Sequence, residues 1–169
     1  MNRQKANTHR CCFTGHRPGK LGKSEQEIKT LLETAIDRAI ARGYTTFLTG
    51  MAEGTDIWAA EIILEKKQKN PALHLICAIP HPDFEKYRSV TEKERYNRIK
   101  NLADYVTIIS PHYYKACYQK RNQFMVDHAS LVIAVWNGSP SGTANTLRYA
   151  RQKSVEIINV LEPSFLRRK

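Results

Sequence analysis

Thr46-Phe47-Leu48-Thr49-Gly50-Met51-Ala52-Glu53-Gly54-Thr55-Asp56 runs directly into Ile57-Trp58-Ala59-Ala60-Glu61. A short apolar run ends at Gly50, a Gly-x-x-x-Gly turn follows, and an Ala-rich helical pattern opens near Thr55 or Asp56. Strand, glycine turn and helix N-terminus together form a natural anion site. First-turn amides point outward there, and the helix dipole favours negative charge. Glycine lets the backbone approach a phosphate because no Cβ intervenes. Turns of this kind also occur in α/β proteins that bind nothing, so the rest of the chain must decide the reading. Asp56 reads most simply as the N-cap of the helix.

Upstream, Arg10-Cys11-Cys12-Phe13-Thr14 is a short strand that stops at Gly15-His16-Arg17-Pro18-Gly19. Gly19-Lys20 and Gly22-Lys23-Ser24 resemble pieces of a P-loop, but neither frame satisfies G-x-x-x-x-G-K-[ST], which excludes a Walker A motif. From Ser24 to about Arg42 the pattern is helical: Ser24 and Glu27 form a capping box, Ile28, Leu31, Leu32, Ala35, Ile36, Ala39 and Ile40 hold i, i+3, i+4 spacing, and Gly43 closes the helix. Residues 44–49 form the second strand and 56–69 the second helix, ended by Asn70-Pro71.

Downstream, residues 73–79 are apolar on both faces, as central parallel strands are. His74 within them is expected to be satisfied or solvent-facing. Residues 83–103 read as helix, with Thr91 and Glu94 as a cap for the later part, and 105–109 as a fourth strand. The segment from His112 to His128 interleaves aromatics with Lys and Arg, a mix suited either to stacking on a base beside a phosphate or to packing on the sheet. Residues 129–136 are the fifth strand. Asn137-Gly138-Ser139-Pro140-Ser141-Gly142-Thr143-Ala144 then forms a second glycine and hydroxyl loop before a helix at about 143–153, and 155–160 are a last strand.

Strands alternating with helices predict an α/β, Rossmann-like three-layer sandwich: a mostly parallel sheet of about six strands with helices on both faces. In such folds the loops after the strands share one edge, where ligands bind. Loops 15–19, 50–56, 80–82, 110–114 and 137–144 converge there, and with Arg17 and Arg121 they describe a nucleotide pocket. The G-x-G-x-x-G fingerprint is absent, which disfavours ordinary NAD dehydrogenase chemistry.

Lys and Arg outnumber Asp and Glu by 27 to 16, a formal +11 over 169 residues, which suits an anionic partner. No apolar run reaches bilayer-spanning length, and the first ten residues lack the h-region of a signal peptide, so a cytoplasmic protein without a membrane partner is expected. Cys11, Cys12, Cys77 and Cys117 match no zinc or disulfide spacing and are expected as reduced, structural thiols. His9, His16, His81, His112 and His128 are scattered, and no metal is assigned.

Phe13-Thr14-Gly15-His16-Arg17-Pro18, Thr49-Gly50-Met51-Ala52-Glu53-Gly54-Thr55-Asp56, and Trp136-Asn137-Gly138 with Ser141-Gly142-Thr143 resemble, in that order, the YpsA-like family of the SLOG superfamily. The 50–56 pattern is also similar to the signature of the DNA-processing proteins of bacterial transformation. The loop at 142–143 stands where LOG-type phosphoribohydrolases carry P-G-G-x-G-T-x-x-E. The resemblance implies one Rossmann-like SLOG domain over 10–162, between a flexible leader at 1–9 and a basic tail at 163–169, in a bacterial or phage protein that forms a homodimer or larger homo-oligomer. It implies a nucleotide or nucleotide-derived ligand at the strand C-termini, or single-stranded DNA in the DNA-processing branch.

The expected ligand-binding residues are Gly15, His16, Arg17, Gly50, Met51, Ala52, Gly54, Thr55, Asp56, Arg121, Trp136, Asn137, Gly138, Gly142 and Thr143, with a ring of Trp136 or Tyr114 on the base. Ala144-Asn145-Thr146 follow Gly142-Thr143, so the LOG glutamate has no counterpart at its place. The leading expectation is therefore a sensor or regulator that binds a nucleotide or nucleotide-sugar, with no other cofactor assigned. A hydrolase of an N-glycosidic or phosphoester bond, using Glu53 or Asp127 to activate water, is the first alternative. Single-stranded DNA binding is the second.

Overall fold

The computed structural model describes residues 7–168. Among them, strands β1 (Arg10–Gly15), β2 (Thr46–Thr49), β3 (His74–Ile79), β4 (Tyr105–Ile108), β5 (Leu131–Val135) and β6 (Glu156–Asn159) alternate with helices. The helices are α1 (Glu25–Ala41), α2 (Thr55–Lys69), α3 (Val90–Leu102), α4 (Cys117–Asp127), α5 (Gly142–Gln152) and α6 (Pro163–Leu166). The strands form one all-parallel sheet of order β4-β3-β2-β1-β5-β6. The Rossmann-like three-layer sandwich read from the sequence is the observed fold.

Alternation along the strands sorts the core into two layers. Cys11, Phe13, Phe47, Leu75, Leu131, Ile133 and Val135 face α1, α2 and α3. Cys12, Leu48, Val132 and Ala134 face Met125 and Val126 of α4 and Leu147 and Ala150 of α5. The adjacent cysteines thus point to opposite faces, and all four thiols are buried and unpaired. Burial pushes the Cys77 thiol up to about 12, as for an inert structural cysteine. On the first face, Arg95 bridges Glu61 (2.7 Å), Glu25 (2.6 Å) and Glu92 (3.2 Å), and Lys29 adds a contact to Glu61 (2.8 Å), tying three helices together.

The capping box forms as read, with Glu27 N–H donating to Ser24 Oγ (3.2 Å) and Ser24 N–H to Glu27 Oε2 (2.6 Å). Gly43 follows α1 at φ +93°, a conformation only glycine adopts freely. His74 is exposed, beside Asp104.

One helix differs from its expected bounds. The helix expected over 83–103 begins only at Val90, capped by Ser89 and not Thr91; Glu92 N–H donates to Ser89 Oγ at 3.2 Å. Residues 80–88 are turns, with Asp83 at φ +60° after His81-Pro82. Within 163–169, Pro163 starts a helical turn that buries Phe165 under the Arg38 guanidinium, 4.6 Å from its ring centroid. Of the leader, residues 1–6 lie outside the described residues. Asn7 and His9 are tied down, Asn7 Nδ2 donating to Asp127 O (2.9 Å) and His9 O accepting from Thr45 N–H (3.0 Å) and Thr46 N–H (3.1 Å). Among the described residues no helix is long and apolar enough to cross a membrane, and no group of three or more His, Cys, Asp or Glu is placed to hold a metal ion.

Candidate functional site

The chain steps outward from β1 to β4, then returns through α4 to lay β5 on the other side of β1. Where strand order reverses, the loops leaving two neighbouring strands diverge and open a crevice. A cleft of about 240 Å³ lies there. The β1 loop gives it Thr14, Gly15, His16, Arg17 and Lys20, α4 gives Tyr118, Arg121, Asn122 and Met125, and the α5 N-terminus gives Ser141, Gly142 and Thr143. Phe13, Ala52 and Asp56 complete the wall.

His16 is fixed from both sides. Its N–H donates to Val135 O (3.1 Å), and Thr55 Oγ donates to its carbonyl (3.4 Å). Its ring Nε2 meets Asn137 Oδ1 at 2.8 Å. Ser139 N–H donates to the same Asn137 atom at 3.0 Å, which marks that atom as the amide oxygen. Nε2 therefore carries the proton, and in the neutral ring Nδ1 is left as an acceptor. Asn137 Nδ2 donates to Lys20 O (3.1 Å), so Asn137 couples the β1 and β5 loops without lining the cleft itself.

The glycine turn at 50–54 differs most from its sequence reading. Arg121 Nη1 donates to Gly50 O, and Arg88 Nη2 donates to Met51 O at 2.6 Å. Two buried guanidiniums thus hold successive carbonyls of the turn, with Met51 at φ +62°. A Cβ on Gly50 would meet Arg121 Nη1 at 2.8 Å and Asp56 Oδ2 at 2.9 Å, and one on Gly54 would meet Pro18 Cδ at 2.7 Å. The space that the glycines suggest for a phosphate is filled by protein. Asp56 is not the N-cap either: Gly54 holds that place at φ +88°, and Asp56 Oδ2 reaches back to accept from Ala52 N–H (3.2 Å). Burial pushes the Asp56 carboxyl up, and the Arg121 guanidinium opposes that rise; burial likewise lowers Arg121, opposed by Asp56.

The second loop is open. Ser141 caps α5, accepting from Ala144 N–H at 3.1 Å. Among the described residues nothing accepts from the amides of Gly142 and Thr143, and a Cβ on Gly142 would meet nothing within 4 Å. Arg17 and Lys20 are exposed at the same cleft, with no side-chain hydrogen bond or ion pair among the described residues. Arg121 spends Nε on Asn122 (2.7 Å) and Nη1 on Gly50, leaving Nη2. Helix amides, two free cations and part of a third make a cradle for an anion.

Of the sequence-selected residues, the cleft gathers Gly15, His16, Arg17, Ala52, Asp56, Arg121, Gly142 and Thr143. Gly50, Met51, Gly54 and Thr55 shape the wall from behind. Trp136 is clamped away, its Nε1 donating to Ser139 O (2.8 Å) and its backbone paired with Asn159 (3.1 and 2.9 Å). Gly138 turns the chain beside it at φ +90°, and Tyr114 packs against His112 outside the cleft. Neither candidate catalytic acid lines the cleft: Glu53 turns toward Arg88 Nε (3.8 Å), and Asp127 lies at the opposite edge of the sheet, accepting from Tyr149 OH (2.9 Å). Lys20 and Tyr118 were missed. Tyr118 stands three residues before Arg121, a spacing that shares a helix face.

The YspA SLOG family model matches residues 11–160. The chain belongs to the YspA SLOG family. The SPbeta prophage-derived protein YoqJ of Bacillus subtilis (strain 168) is 35% identical over 139 residues, covering 75% of this chain and 81% of that protein. A UPF0398 protein of Bacillus pumilus is 28% identical over 138 residues, covering 77% and 74%. Among solved structures, DNA processing protein A of Streptococcus pneumoniae aligns at TM-score 0.65 and 18% identity over 92% of this chain and 50% of that one. The Helicobacter pylori protein, described for its single-stranded DNA binding mode, aligns at 0.60 and 19% over 92% and 66%. This SLOG chain spans only half to two thirds of those proteins, and at such identities the likeness is one of fold.

Proposed function

We propose that this SLOG protein binds a phosphorylated, nucleotide-type ligand in the β1–β5 cleft and acts as a sensor or regulator. The observation that carries the reading is the open α5 N-terminus, whose unpaired Gly142 and Thr143 amides share a cleft with the unpaired Arg17 and Lys20. A phosphate is the group that such a cradle complements, through amide hydrogen bonds and charge together. The one carboxylate in the wall, Asp56, is committed to Ala52 N–H and to the charge of Arg121, which favours binding over hydrolysis. Calorimetric titration with AMP, ADP-ribose and inorganic phosphate tests this, using Gly142→Asp as the control. An acid there sits in open space and suits the helix dipole, so the fold is kept, while its charge repels phosphate. Equal affinity in the variant and the parent chain refutes the reading.

Single-stranded DNA is the second reading, favoured by the +11 charge and by the fold shared with the Helicobacter pylori protein. It requires affinity to fall steeply with salt. We take the protein to be cytoplasmic and a homo-oligomer, the latter checked by light scattering at working concentration.

A further inference from the structure

Beside the phosphate cleft lies a larger hollow that no part of the foregoing reading uses. It measures about 580 Å³ and is built by His81, Phe84 and Tyr87 of the turns after β3, Tyr113 of the turn after β4 and Tyr118 of α4, with Lys86 at its rim. The His81 ring is its hub, standing edge-on to Phe84 (5.7 Å between centroids), Tyr113 (5.3 Å) and Tyr118 (5.9 Å). Tyr113 is 59% exposed and Tyr87 is 93% exposed. Exposed rings clustered around a cavity mark a contact or ligand-binding surface. They are tyrosines, not aliphatics, and so offer a flat π face with a wettable rim.

Two features select the occupant. Tyr118 lines both the hollow and the phosphate cleft, so the cavities share one wall. Tyr118 and Arg121 stand three residues apart on α4, which puts their side chains about 5–6 Å apart at the Cβ atoms. A group held against the Tyr118 ring therefore lies next to the cleft that Arg121 lines. Cations also outnumber carboxylates: Lys86 stands with Asp83 at the hollow, and Arg17, Lys20 and Arg121 stand with Asp56 at the cleft. A flat, uncharged heterocycle joined through a sugar to a phosphate complements this arrangement.

We propose that the His81–Phe84–Tyr113–Tyr118 hollow is the base-stacking subsite of the same ligand, so that the protein recognises a 5′-nucleotide unit: phosphate at the α5 N-terminus, base on the tyrosines. The inference rests on the phosphate reading above. The unit can arrive as a free nucleotide or within a single strand, since both present the same phosphate, ribose and base.

The test titrates the full chain and its Tyr113→Ala and Tyr113→Phe variants with AMP, ribose 5-phosphate, adenosine and a short oligodeoxythymidylate. Tyr113 is exposed, so neither variant disturbs the core. Losing one stacking ring weakens AMP binding by about tenfold or more, while ribose 5-phosphate, which has no base, binds Tyr113→Ala as it binds the parent; Tyr113→Phe keeps the AMP affinity. AMP binding that is insensitive to Tyr113→Ala, or that falls together with ribose 5-phosphate, overturns the proposal. If AMP binds no better than ribose 5-phosphate, the base subsite is wrong while the phosphate cradle stands. If adenosine binds in a Tyr113-dependent way and no phosphorylated probe binds better, the hollow is right and the cradle is wrong. A Tyr113-dependent preference for the oligonucleotide over AMP keeps the subsite and assigns the unit to a strand.

Discussion

Gly15→Ala is the sharpest test of how the cleft is held open. A Cβ at Gly15 would fall 2.2 Å from Thr55 Oγ1, 2.6 Å from its Cβ and 2.7 Å from its Cγ2, all in one side chain. Ordinary contact begins near 3.4 Å, so the end of β1 and the start of α2 must separate by more than 1 Å. Overpacking of this kind costs about 1–3 kcal/mol, and the displacement also removes the Thr55 Oγ–His16 O hydrogen bond, worth about 1 kcal/mol. The expected destabilisation is therefore about 2–4 kcal/mol, or roughly 4–16 °C in Tm for a chain this long. Thr55→Gly deletes all three clashing atoms at a cost of about 0.3–0.5 kcal/mol in helix propensity plus the same hydrogen bond. The double variant should then be more stable than the two single losses added together, with a coupling of about 2–4 kcal/mol, because the clash is gone and the shared hydrogen bond is lost only once. Urea unfolding of the four proteins, read as the shift in midpoint at constant m, measures it. Strict additivity, or a Gly15→Ala loss under about 0.5 kcal/mol, would show that the contact does not position the His16 loop.

Gly54→Ala combines a φ of +88° with a 2.7 Å approach to Pro18 Cδ and should destabilise by about 2 kcal/mol or more, whereas Gly142→Ala should be neutral in thermal melts; equal effects would remove the distinction between the filled and the open turn. Arg121→Met leaves the buried Gly50 carbonyl without its donor and Asp56 without the facing charge, and should cost about 1–3 kcal/mol, with Asp56→Asn in the same background restoring part of the loss by calorimetry. Although partial burial acts the other way, hydrogen bonds from Lys67, Leu75 N–H and His74 hold the Asp104 carboxyl down at about 2, below its ordinary 3.8. A depressed folded value means stability that is present above pH 4 and lost as pH falls towards 2, so Asp104→Asn should flatten the acid limb of a Tm-against-pH curve in that window. An unchanged limb would show that Asp104 is not responsible.

Element type and order were legible because each strand and helix carries its own periodicity and stop signals: the Ser24–Glu27 box, Gly43 and Asn70-Pro71 act over a few residues. Misreadings clustered where a local signal competes with a distant partner. Asp56 has the chemistry of an N-cap, yet Ala52 N–H and Arg121 draw it back over the turn. Trp136 reads as a stacking ring, yet its indole N–H finds Ser139 O and its backbone finds Asn159. Residues 83–89 look helical by composition, but the Asp83 turn leaves them as the wall of an aromatic hollow.

By itself, then, the sequence determined the α/β class, the parallel sheet, the two glycine loops and the family, since each rests on short-range pattern or on motif order. Only the tertiary structure decided that strand order reverses between β1 and β5, which turn is filled and which is open, and that Glu53 and Asp127 stand away from the cleft. The physical reason is that a glycine permits close approach without specifying what approaches. At Gly50 and Gly54 the neighbour is Arg121 or Pro18, from elsewhere in the fold, and at Gly142 it is solvent.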